Sequence, residues 1–150
     1  MNSSPNEAPR EQAPEPIGDT VESIEALRKD VVTVAERLRG KGGDFAPIVE
    51  EAVNDFVKYV NDMAAKGPFV AGPSARDAAD RYSFAQLVRE SAKGARFAIM
   101  QKAGIKAYGP GNYEKIEKTD RRHGAFIAGL KILNGTTCVL DGMTLDEIPG

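Results

Sequence analysis

The chain has one cysteine and one histidine among its 150 residues. A single cysteine excludes an internal disulfide framework and any zinc site built from several cysteines. A single histidine excludes the ordinary two- and three-histidine metal sites. Long apolar runs are missing too. The best candidate, Ala125 to Leu133, is interrupted by Lys131 and falls far short of the ~18 residues a membrane span needs. The first residues are polar and proline-rich, without the basic-then-apolar order of a secretory signal. An intracellular protein is therefore expected, cytoplasmic or carried within a virus particle. Hydrophobic residues at 41% and charged residues at 28% suit one soluble domain with a modest core.

What is present reads mainly as helix. Residues 1–16 hold four prolines and three glutamates and no large apolar side chain beyond Met1. Such a composition cannot bury enough surface to offset its ordering entropy, so a flexible arm is expected ahead of a single domain over 17–150. Asp19 with Glu22 then reads as a capping box, and Ile24, Leu27, Val31, Val34 and Leu38 recur at steps of three and four before Gly40. About two heptads of this spacing describe either a face packed on the chain's own domain or a helix-pairing face for another chain. A second helix begins at Asp44 or Phe45, takes Pro47 in its first turn and ends at Lys66–Gly67–Pro68. Its wide apolar face, from Ile48 to Met63, makes it the core helix. A third follows the Ser83 and Gln86 cap pair and is expected to close at Gly104. Gly94 inside it suggests a bend or a close helix crossing, because glycine otherwise weakens a helix interior.

The last part of the chain points elsewhere. Phe126–Leu133 and Thr136–Leu140 flank Asn134–Gly135, the dipeptide most favoured in two-residue hairpin turns, and Asp141–Gly142 offers another turn. A short C-terminal β-hairpin over about 125–148 is expected, packed on the helices or joined to a neighbouring subunit. The expected fold is mainly α (α+β), with three to four amphipathic helices and that hairpin.

Charge is unevenly spread. Residues 1–80 hold 9 basic and 15 acidic side chains, residues 81–131 hold 11 and 4, and residues 132–150 hold none and 3. A total of only −2 thus hides a strongly basic middle between acidic flanks. There Arg89, Lys93 and Arg96 recur at helical spacing, followed by Lys102, Lys106, Lys115, Lys118, Arg121 and Arg122. Three arrangements satisfy this pattern. Opposite charges can meet within one monomer. The acidic region of one subunit can meet the basic region of the next, which steers association and fixes register. Or the basic stretch can bind phosphate, with Tyr82, Phe97, Tyr108 and Tyr113 placed to stack on single-stranded bases. The acidic pI of about 5.5 argues against a dedicated nucleic-acid binder.

Catalytic equipment is sparse. Nothing in the spacing of His123 to Cys138 or to a serine marks a nucleophile–base pair, and Cys138 sits in an apolar strand-like context that suits a small hydrophobe. Glu50, Glu51 and Asp55, with Asp62 or Glu36, read as a solvated helix face rather than a Mg²⁺ site. Gly109–Pro110–Gly111 supplies two glycines of a dinucleotide fingerprint but Glu114 stands in the third place, and Gly40–Lys41–Gly42–Gly43 lacks the phosphate-loop spacing. No enzyme chemistry, metal or cofactor is expected. The expected function is a non-enzymatic structural or assembly subunit that contacts copies of itself or other proteins. Virus and phage particles use arms and small accessory subunits of this sort, which is analogy alone. The alternative is an accessory nucleic-acid-binding module using residues 81–131.

Overall fold

The computed structural model describes residues 17–71, 83–111, 113–119 and 124–149. The arm expected over 1–16 lies outside them. Five α-helices make up most of the described residues: α1 Val21–Glu36, α2 Ala46–Lys66, α3 Phe84–Tyr108, α4 Tyr113–Thr119 and α5 Ala125–Leu140. Two-residue strands, β1 Ile17–Gly18 and β2 Val70–Ala71, pair antiparallel with Ile17 opposite Ala71.

Local chemistry accounts for most of the boundaries. At the start of α1 the Thr20 hydroxyl accepts the Ser23 N–H at 3.0 Å, and the Ser23 hydroxyl accepts the Thr20 N–H at 3.0 Å. This reciprocal cap replaces the one expected from Asp19 and Glu22. Asp19 turns its carboxylate instead to the N–H groups of Phe69 and Phe84, each at 2.9 Å. Helix α2 carries Pro47 in its first turn, where the missing N–H costs nothing, and ends at Gly67 as its sequence suggests. Helix α3 starts at Ser83, whose hydroxyl accepts the Gln86 N–H at 3.4 Å. It does not close at Gly104, which is buried within it, but runs on to Gly109, where φ of +90° stops it.

Helices α1, α2, α3 and α5 contact one another in a ring, α5 closing back on α1, while α4 lies against α3. Phe56, Phe84, Ile99, Met100 and Ile132 fill the space between them and are fully buried. The 3–4-spaced seam of α1 faces this interior. Ile24, Val31, Val34 and Leu38 are buried there, and Leu27 packs at the margin. The seam is occupied by the chain's own helices.

The C-terminal hairpin is not what residues 125–140 form. They make α5, whose buried positions Ala125, Ala128, Gly129, Ile132, Gly135, Thr136 and Val139 keep helical spacing. Asn134–Gly135 lies in mid-helix, and close packing explains the glycine. A Cβ on Gly135 would stand 2.4 Å from Val34 Cγ1, and one on Gly129 would stand 3.1 Å from Arg96 Cγ. Both glycines let α5 approach its neighbours, and this tertiary demand overrides the local turn preference. Asp141–Gly142 does form a turn, with Gly142 at φ of +93°. Beyond it, Arg37 donates to the carbonyls of Leu145 and Ile148, both at 3.1 Å, and fastens the following segment to the end of α1. Cys138 is half-buried on α5 rather than in a strand.

Candidate interaction surface

The basic residues of the middle segment are distributed along α3 and α4, and many meet acidic partners within the chain. Arg89 reaches Asp141 at 3.8 Å, Lys93 reaches Glu90 at 3.2 Å and Arg96 reaches Glu117 at 3.9 Å. Lys102 pairs with Glu51 of α2 at 3.1 Å. Lys106 donates to the Asp44 carbonyl at 3.0 Å and lies over the Phe45 ring, and Lys115 lies over the Tyr108 ring. Lys118 is exposed on α4. Arg121, Arg122 and His123 lie outside the described residues.

The outer face of α3 carries the more unusual feature. Residues three and four apart share a helix face. Leu87, Glu90, Gly94, Phe97, Gln101, Ile105 and Tyr108 follow that spacing. Phe97 is 53% exposed, Ile105 47% and Tyr108 41%. Among the described residues only Val21 at the start of α1 is another large hydrophobic side chain as exposed as these. Gly94 lies on the same face, and a Cβ there would meet nothing within 4 Å. Within this chain, therefore, no helix crosses closely at Gly94. Phe97 and Tyr108 stood out in the sequence only as aromatics among basic residues. Ile105 was missed, although its helical spacing from them was readable.

Beside this stripe, a groove of about 320 Å³ runs between α2 and α3. Ile48, Ala52, Asp55 and Tyr59 form its α2 wall, and Ser91, Gly94, Ala95, Ala98 and Lys102 its α3 wall. Partial burial pushes the Tyr59 phenol above its ordinary pKa. The two walls differ in charge: α2 contains four acidic and two basic residues, α3 five basic and one acidic.

Elsewhere the chemistry is structural. Arg39 bridges Glu36 and Glu50 and donates to Asn54 at 2.7 Å, and its hydrogen bond holds the Glu36 carboxyl below the usual range. Among the described residues, no three or more potential ligands cluster as a metal site would require. The Gly40–Gly43 segment brings Gly42 against Val49, where a Cβ would stand 2.7 Å from the valine Cγ2. Lys41 and Lys131 line a cavity of about 190 Å³ near the start of α5. No described helix is long and apolar enough to cross a membrane. Compared with protein-family models, curated protein sequences and solved structures, the chain shows no significant match.

Proposed function

We propose that this chain is a non-enzymatic assembly subunit that binds copies of itself or other proteins through the outer face of α3 and the adjoining groove. A component of a virus or phage particle is the setting that analogy favours. The observation that supports the reading is the alignment of Phe97, Ile105 and Tyr108 on one exposed helix face beside an apolar groove. Scattered exposed apolar side chains need no explanation, whereas aligned ones beside a cleft mark contact surfaces. The second reading, phosphate binding by residues 81–131, draws support from the exposed Lys118 but competes with the ion pairs of Arg89, Lys93, Arg96 and Lys102.

Light scattering behind a sizing column, in about 0.1 M and about 0.5 M salt, tests the proposal, since added salt screens exposed charges but not apolar contacts. Particles heavier than the 16.1 kDa chain at both salts are expected. A mass of 16.1 kDa under both conditions overturns the self-assembly reading. Single-stranded oligonucleotide binding that disappears on Lys115→Glu with Lys118→Glu favours the second reading instead.

A further inference from the structure

We infer that Asn134–Gly135 is a latent modification site: α5 holds it inert, and deamidation at Asn134 records, irreversibly, the time this helix spends unfolded. The inference is independent of the assembly reading. Asn134 is the only asparagine of the chain that precedes a glycine. An asparagine in that position is especially prone to deamidation, because glycine sets no side chain beside the attacking nitrogen. In the reaction the Gly135 amide nitrogen gives its proton to water and attacks Asn134 Cγ. The N–Cγ bond forms, the Cγ–Nδ2 bond breaks, and ammonia leaves with a proton taken from solvent. Water then opens the five-membered imide at either carbonyl, to aspartate or to isoaspartate. Nothing is oxidised or reduced, and water is the only co-reactant.

The folded chain withholds the nucleophile. Both residues lie within α5, where ψ is about −42°, and at that angle the following nitrogen cannot close a ring onto Cγ. Helical geometry also directs the Gly135 N–H to the carbonyl four residues earlier. Gly135 is buried as well: a Cβ there would stand 2.4 Å from Val34 Cγ1 and 4.0 Å from Ile148 Cγ2. Asn134 itself is exposed, so water meets its amide while the nitrogen that must attack it stays in the core. Packing against Val34 thus requires glycine at 135, and the same glycine makes Asn134 labile whenever the helix opens.

The isoaspartyl product cannot go back. Its main chain runs through Cβ, which inserts one extra atom between residues 134 and 135. Ala125, Ala128, Gly129 and Ile132 are buried before that point, and Gly135, Thr136 and Val139 after it. Gly129 meets Arg96 and Gly135 meets Val34 with no room for a methyl group. An inserted atom moves one half of α5 relative to the other, so the two close contacts cannot both be kept. The aspartyl product keeps the normal main chain and puts its carboxylate in solvent.

The test incubates the full chain at neutral pH in buffer and in denaturing urea, and follows the peptide bearing Asn134 by mass spectrometry. Exchange of NH2 for OH marks Asn134 and separates it from Asp141–Gly142, which can form the same ring without that exchange. Conversion in buffer is expected to be at least ~100-fold slower than in urea, the ratio being set by the opening equilibrium of α5. Val34→Ala should raise the rate in buffer by at least ~10-fold and leave the rate in urea unchanged. Gly135→Ala should slow conversion in urea, which identifies the attacking nitrogen. Chains carrying isoaspartate at 134 should refold with a lowered melting temperature, whereas Asn134→Asp should melt close to the wild type. Equal wild-type rates in buffer and urea overturn the protection by α5, and isoaspartyl chains that melt with the wild type overturn its irreversibility.

Discussion

Asp19 and Phe84 lie 65 residues apart and are joined by one carboxylate, whose two oxygens accept the Phe84 N–H at 2.9 and 3.2 Å. Phe84 opens α3, so its N–H is one of those a helix start leaves without an intrahelical partner. A negative charge there also suits the positive end of the helix dipole. The same carboxylate accepts the Phe69 N–H, and the Asp19 N–H in turn donates to the Phe69 carbonyl at 3.0 Å. One side chain thereby ties the chain before α1 to the end of α2 and the start of α3. Asp19→Ala is expected to lower stability by about 2 kcal/mol, the scale of a lost cap with charge-assisted bonds. Asp19→Asn, which keeps one acceptor, should lose roughly half of that. Urea denaturation reads the loss, and faster hydrogen exchange at Phe69 and Phe84 locates it. Unchanged stability of Asp19→Ala would count against the tie.

Two glycines in helices should respond in opposite ways to alanine. At Gly94 the added methyl meets nothing, so Gly94→Ala should stabilise the monomer by up to about 1 kcal/mol through helix propensity. At Gly135 the same methyl would stand 2.4 Å from Val34 Cγ1 inside the core. Overpacking there costs about 1–3 kcal/mol, and Gly135→Ala should destabilise despite its better propensity. Thermal melts of the two variants at dilute concentration decide the matter. Shifts of the same sign would contradict the close approach of α5 to α1.

Arg37 should hold down the last described segment. Its guanidinium donates to the Leu145 and Ile148 carbonyls, and Ile148 is itself buried. Arg37→Ala is expected to cost about 1–2 kcal/mol and to raise exchange and proteolysis over 143–149. Arg37→Lys should recover only part, because an ammonium lacks the planar fork that reaches two carbonyls at once. Equal protease resistance in Arg37→Ala would rule out this role.

Acid should weaken the fold through a small set of carboxylates. Hydrogen bonds from Arg28 to Glu25 and from Arg39 to Glu36 hold both carboxyls below their ordinary value of 4.5, and the Thr144 backbone N–H does the same for Glu147. With folded-state values depressed, the unfolded chain binds more protons. Their contribution is therefore full above pH 4.5 and is lost as pH falls through the lower folded-state values. Melting temperature should be level from about pH 7 to 5 with respect to these groups and fall by pH 3. Added salt should shrink the Glu25 and Glu36 parts, which are exposed ion pairs, and spare more of the Glu147 part. A melting temperature unchanged down to pH 3 would exclude the effect.

Where local chemistry alone decides, the sequence was readable. Pro47, Gly67 and the Ser83–Gln86 cap place the start and end of α2 and the start of α3, and the apolar face from Ile48 to Met63 marks the core side of α2. Where two roles share one signal, it was not. Asn134–Gly135 is a turn dipeptide by its own chemistry, and only the position of Val34, distant in the chain, explains the glycine inside a helix. Thr20 and Asp19 are neighbours with similar capping ability, and the partners that claim Asp19 lie far along the chain. The same limit affects the interaction surface. The 3–4 spacing of Ile24, Leu27, Val31, Val34 and Leu38 is common to an internal seam and an external one, and only packing separates them. The ion pairs of Lys102 with Glu51 and Arg89 with Asp141 bridge distant segments, so residue counts revealed the charge imbalance without its internal pairing.

The place of α5 in the ring has a consequence for synthesis. It packs between α1 and α3 yet follows both in the chain, so no earlier helix can take its position. At typical translation rates about 2–6 s separate the end of α3 from the end of α5. During that interval the nascent chain has made the surfaces of α1 and α3 that α5 will cover, Val34 and the backbone of Arg96 among them, but not their cover. Closure of the core must therefore wait for α5, the last helix of the ring to be made, and until α5 docks those surfaces lack the chain's own cover.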